Sequence, residues 1–86
     1  MSYGTVVNEL ARKLEHHIIA FDNLPDHGGC ILYMDGPVKR VDIEIAALAE
    51  GVDKLAAFVE HVLVSTPRSV GRVCVGMRNG DLAVVR

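Results

Sequence analysis

Tryptophan is missing from these 86 residues, and phenylalanine and tyrosine occur twice each, yet half of the chain is hydrophobic. A marked excess of either sign of charge is missing too. The formal net charge is −2. Arg12, Arg72 and the pair Lys39-Arg40 are scattered and form no patch, so no nucleic-acid partner is expected. No apolar run approaches the ~18 residues that a spanning helix needs. The N-terminus lacks a basic region followed by an apolar stretch, so no signal peptide is expected. These absences point to a soluble, cytoplasmic protein. Cysteine is also sparse. Cys30 and Cys74 sit in strand-like apolar runs and are read as reduced, buried thiols, with a disulfide or redox role as the alternative.

What is present is apolar periodicity. In the stretch from Ile43 to Val64, residues Ile45, Leu48, Val52, Leu55, Val59 and Val62 recur at spacings of three and four. This predicts one long helix, starting near residue 44. Ala49, Ala56 and Leu63 broaden its stripe. Asp42 is its expected cap. Gly51 inside it implies either a close neighbouring backbone or a bend.

An earlier helix is predicted over 4–22, from Val7, Leu10, Leu14, His17 and Phe21. Ser2 or Thr5 caps it, and Glu9 supports Lys13 four residues on. Leu24-Pro25-Asp26-His27-Gly28-Gly29 ends it in a loop.

Cys30 to Met34 is apolar on both parities and reads as a strand covered on both faces. Asp35-Gly36-Pro37 turns the chain into a second strand, Val38 to Val41. After the central helix, Ser65 to Ser69 is a stop. A strand from Val70 to Met77 follows, with Val73, Val75 and Met77 on one face. Asn79-Gly80 predicts a type I′ hairpin returning through Leu82 to Val85.

The expected fold is therefore a single α+β domain over 1–86, in the order αββαββ. Two helices pack on a four-stranded antiparallel sheet. A shift of forty-five residues lays Val7, Leu10 and Leu14 on Val52, Leu55 and Val59, and a shift of forty-four lays Cys30 on Cys74 and Gly36 on Gly80. The echo admits an internal duplication, which would make the fold a permuted ferredoxin-like sandwich; two unrelated helix–hairpin units would look alike as well.

The run from Leu24 to Gly36 resembles the first strand and turn of the Roadblock/LC7 family. Ile45 to Val52 is similar to the alanine-rich opening of that family's second helix, and Val73 to Val84 to its following hairpin. The resemblance implies a non-catalytic homo- or heterodimer. Its partner would be a small GTPase or a larger assembly, and its second helices and neighbouring strands would meet at the dimer contact. The family places a further strand between its two hairpins. The present sequence reaches Arg86 without one.

Candidate chemistry is thin. Glu15-His16-His17 and Glu60-His61 invite a metal hypothesis, but adjacent histidines diverge on a helix and a zinc site wants three or four converging ligands. His17 falls on the core stripe, His27 on the glycine loop. Cysteine nucleophiles need an electropositive setting, which two apolar strands do not provide. Gly28-Gly29 lacks a phosphate-binding fingerprint. Met34 and Met77 are read as core, and Asp22, Asp26 and Asp35 as turn formers.

No catalytic, metal or cofactor residue is assigned. Phe58 shares the flank of the central helix away from the main stripe with Gly51, Lys54 and His61. These four are the candidate interface, with Phe58 either touching another chain or tucking under the first helix. So much apolar surface on so small a body implies oligomerisation. The expected function is a non-enzymatic interaction or regulatory protein acting as a homodimer. The alternative is a ferredoxin-like small-ligand or metal-binding sensor; an enzyme at a dimer cleft ranks last.

Overall fold

Every described helix lies on one face of one sheet. The structure is a computed structural model and describes residues 3–24, 29–66 and 68–85. The elements are α1 (Tyr3–Lys13), β1 (Ile18–Leu24), β2 (Gly29–Met34), β3 (Arg40–Ile43), α2 (Ile45–Leu48), α3 (Val52–Ser65), β4 (Val73–Arg78) and β5 (Asp81–Val85). The α+β class is as expected. The sheet is not: it has five strands, in sequence order β1-β2-β3-β4-β5. All neighbours are antiparallel except β3 and β4, which run parallel. A parallel joint needs a long crossover, and α2 with α3 supplies it.

The fifth strand comes from the predicted first helix, which ends early. Val7, Leu10 and Leu14 are fully buried, as the helical stripe requires. Beyond Leu14 the amides of His17 and Ile18 both close on the Leu14 carbonyl, at 2.8 and 3.1 Å. The chain then extends as β1. Ile18, Ile19 and Phe21 are β-branched or aromatic and fit a pleated surface. A spacing of four and then three from Leu14 through Ile18 to Phe21 satisfies a helical pattern by coincidence. Pairing with β2, from Ile18↔Met34 to Leu24↔Gly29, decides between the two. A bulge between Ile18 and Ala20 leaves Ile19 70% exposed.

The central helix is two helices. Gly51 has φ 96° and ψ 161°, a region that only glycine occupies comfortably. Nothing lies within 4 Å of where its Cβ would stand, so the glycine is there for the bend and not for a close neighbour. The bend takes Ile45 off the stripe and leaves it exposed, while Leu48, Leu55, Val59 and Val62 remain buried. Asp42 is not the cap. It lies in β3, and Glu44 stands at the N-cap of α2 without a side-chain hydrogen bond.

Cys30, Leu32 and Met34 of β2 join Val41, Ile43, Val73 and Val75 in one continuous core under the helices. The opposite face of β2 carries Ile31 and Tyr33, and no described helix covers it; Ile31 is buried all the same. As predicted, Val73, Val75 and Met77 share the core side of β4. Asn79 (φ 54°) and Gly80 (φ 79°) make the expected tight turn into β5.

The internal echo does not survive the register. Cys30 faces the core, whereas its counterpart Cys74 sits between core residues Val73 and Val75 and so points to the open face. Duplicated units would keep equivalent residues in the same layer. With β1 added and β3 beside β4, the αββ repeat has no counterpart in the sheet. Where the Roadblock resemblance puts a further strand between two hairpins, β3 pairs directly with β4. No described helix is long and apolar enough to cross a membrane.

Candidate interaction edge

The predicted interface residues fall along the flank of α3 that faces β5. Gly51 opens the helix. One turn on, the Lys54 ammonium donates to Glu50 Oε1 at 2.9 Å and lies 3.7 Å from Asp81 Oδ1 of β5. The hydrogen bond to Glu50, then the charges of Glu50 and Asp81, push the Lys54 pKa above its ordinary value. Phe58 is half-buried and packs on the core edge. Phe58 and His61 then line an open groove of about 340 Å³ with Val62, Ser65, Thr66, Ala83 and Val84. Phe58 thus lies on the β5 side of its helix and not under α1. The Thr66 hydroxyl donates to the Val62 carbonyl at 2.7 Å and closes this end of α3.

Val84 is the residue that sequence reasoning missed. It is 47% exposed on the core side of the sheet, where its neighbour Leu82 is buried. The apolar run Leu82-Ala83-Val84-Val85 announced a strand, but nothing in it announced that the strand would be outermost. A strand at the margin presents unpaired backbone groups. The two margins differ. β1 carries a bulge, with Asp22 and Asn23 beyond it. β5 pairs with β4 in unbroken register and holds no lysine, proline or bulge. The Leu82 amide donates to the Asp81 carboxylate at 2.9 Å, so it turns away from β4.

The open face of the sheet is of another character. Asp42 accepts two bonds from Arg40, at 2.6 and 3.1 Å, and lies 3.7 Å from Arg72. The hydrogen bond to Asp42 chiefly raises the Arg40 pKa. Tyr33 donates to Asp22 at 3.3 Å, so Asp22 is a strand residue and not a turn former. The Glu44 carboxylate lies over Gly76, where a Cβ would have to push this exposed side chain aside. The alternation Arg40-Val41-Asp42-Ile43 carried this charged pair in view, two residues apart as side chains on one strand face must be.

The other candidate groups stay separate. Cys30 is buried, and burial followed by the Asp42 charge pushes its thiol from the ordinary 9.0 up to about 12. That is the opposite of an activated nucleophile. Cys74 is only half-buried, and both cysteines are free thiols on opposite sides of the sheet. His16 and His61 are exposed, and His17 is half-buried in the turn after α1, outside any helix. His17 lines a second cleft of about 250 Å³ with Asp35, Glu60 and Val64. Among the described residues no three His, Cys, Asp or Glu side chains are grouped so as to hold a metal ion. His27 and Asp26 lie outside the described residues.

Comparison with protein-family models, with curated proteins and with solved structures returns no match.

Proposed function

We propose that this chain is a small non-enzymatic interaction domain that acts as a homodimer and joins its copies along β5 and the adjoining flank of α3. One observation carries the reading. A regular outer strand with four consecutive apolar residues adjoins a helix flank bearing Phe58, and no lysine, proline or bulge interrupts it. A regular apolar edge is a template for another chain, and covering it removes exposed Val84 and half-exposed Phe58 from water. Lys54 and Asp81 pair with each other at one end, and beyond them the groove is lined by Phe58, His61, Val62, Ser65, Thr66, Ala83 and Val84.

The dimer would serve as a platform for a further protein. On the resemblance of residues 24–36, 45–52 and 73–84 to Roadblock/LC7 proteins, a small GTPase is the first partner class to test. The test of the assembly is solution mass by light scattering across a dilution series. The wild type is expected at twice the chain mass, and Phe58→Glu at the chain mass with an unchanged far-ultraviolet circular dichroism spectrum. A wild type that is monomeric at every concentration removes the proposal.

A further inference from the structure

The geometry of β5 points to its occupant: we infer that β5 pairs antiparallel with β5 of a second copy, in the register that sets Ala83 opposite Ala83. This rests on the homodimer reading above and adds its geometry.

The argument begins with the direction of the backbone groups. A two-residue turn makes the flanking pair, Arg78 and Asp81, a hydrogen-bonded pair. Alternation then turns the amides and carbonyls of Asp81, Ala83 and Val85 toward β4, and those of Leu82 and Val84 outward. The Leu82 amide agrees, since it is met by its own chain's Asp81 carboxylate. Two outward residues offer two donors and two acceptors.

Only one twofold register uses all of them within the strand. With Ala83 on the axis, Leu82 of each chain faces Val84 of the other in a hydrogen-bonded pair, and four bonds close. Centring on Leu82 or on Val84 pairs that residue with its own twin and leaves the other facing the turn or the chain end.

Charge selects the direction. A parallel pairing in register lays Asp81 against Asp81. The antiparallel pairing sets it opposite Val85 and parts the two carboxylates by four residues, about 13 Å at the rise of a strand. Once the partner's Val84 carbonyl takes the Leu82 amide, the Asp81 carboxylate has Lys54 beside it. Side-chain parity agrees as well. Leu82 and Val84, both on the core side, meet each other, so the two sheets continue as one of ten strands with both α3 helices on the same face. The other margin is less suited, because β1 begins with a bulge at Ile19 and its regular part carries the polar pair Asp22-Asn23.

Ala83 on the axis is a non-hydrogen-bonded pair, with Cα atoms about 4.5 Å apart, within reach of a disulfide. The experiment is oxidative cross-linking of the full chain in a Cys74→Ser background, comparing Ala83→Cys with Val85→Cys. Ala83→Cys is expected to form the covalent dimer at least ten-fold faster, since two copies of residue 85 stand about 13 Å apart. Equal rates in a chain that light scattering shows to be dimeric overturn the register and leave the homodimer standing. A monomeric chain, or one that associates only with an extended peptide from another protein, overturns both.

Discussion

Gly51 holds a backbone that an L-residue reaches only under strain, with φ 96° and ψ 161°. A glycine inside a continuous helix would be improved by alanine, by about 1 kcal/mol. At this junction alanine is expected to cost about 1–3 kcal/mol instead. Urea unfolding of Gly51→Ala gives the sign: a lowered midpoint fits the bend, and a raised one restores the single long helix. Cys30 supplies a second test. Its thiol keeps its proton to about pH 12 in the fold, against the ordinary 9.0. The unfolded chain therefore loses this proton first as pH rises. The contribution is fully present below pH 9 and is lost between there and about pH 12. Its slope approaches roughly 1.4 kcal/mol per pH unit. Urea titrations from pH 8 to 10.5 should show wild-type stability falling more steeply than that of Cys30→Val; parallel curves would mean that the thiol ionises in place. Lys54 and Arg40, also raised, are exposed to solvent, and the Cys30→Val comparison cancels them.

Among the elements, β1 and β5 occupy matching positions at the two margins but are built differently. Ile19 stands out of a bulge at one margin, while Val84 stands in an unbroken ladder at the other. A lysine on an outer strand is a common guard against pairing. Val84→Lys is therefore expected to weaken self-association at least ten-fold in sedimentation equilibrium, and Ile19→Lys to leave it unchanged. A larger effect at Ile19 would move the contact to β1. The α3 flank acts with β5 because Lys54 reaches Asp81 across the gap between them. Lys13 makes a similar tie on the other side. Expected to support Glu9, it reaches Asp53 of α3 at 3.0 Å.

The whole molecule is small, with a Cα radius of gyration of 11.6 Å. Bodies of this size are marginal alone, because the fraction of surface they bury grows with length. A partner that binds only the folded form adds stability by mass action. Thermal unfolding of the wild type should therefore move to higher temperature as protein concentration rises, and the unfolding of Phe58→Glu should not. A concentration-independent transition in both would mean that the single chain is self-sufficient.

Short-range pattern in the sequence determined the α+β class, the buried stripe Val7-Leu10-Leu14, the Asn79-Gly80 turn and the row Lys54-Phe58-His61. Each of these depends on residues within a turn or two of one another, so spacing and turn chemistry suffice. Tertiary structure alone decided that Ile18 to Leu24 is a strand, since a run whose apolar spacing satisfies both periods takes its form from the neighbour it pairs with. It also decided that β3 lies parallel to β4, that Cys30 and Cys74 point to opposite faces, and that β5 is outermost. Strand order is set by which backbones meet across the sheet, and a hydrogen bond between residues far apart in the chain leaves no mark on the local pattern of either.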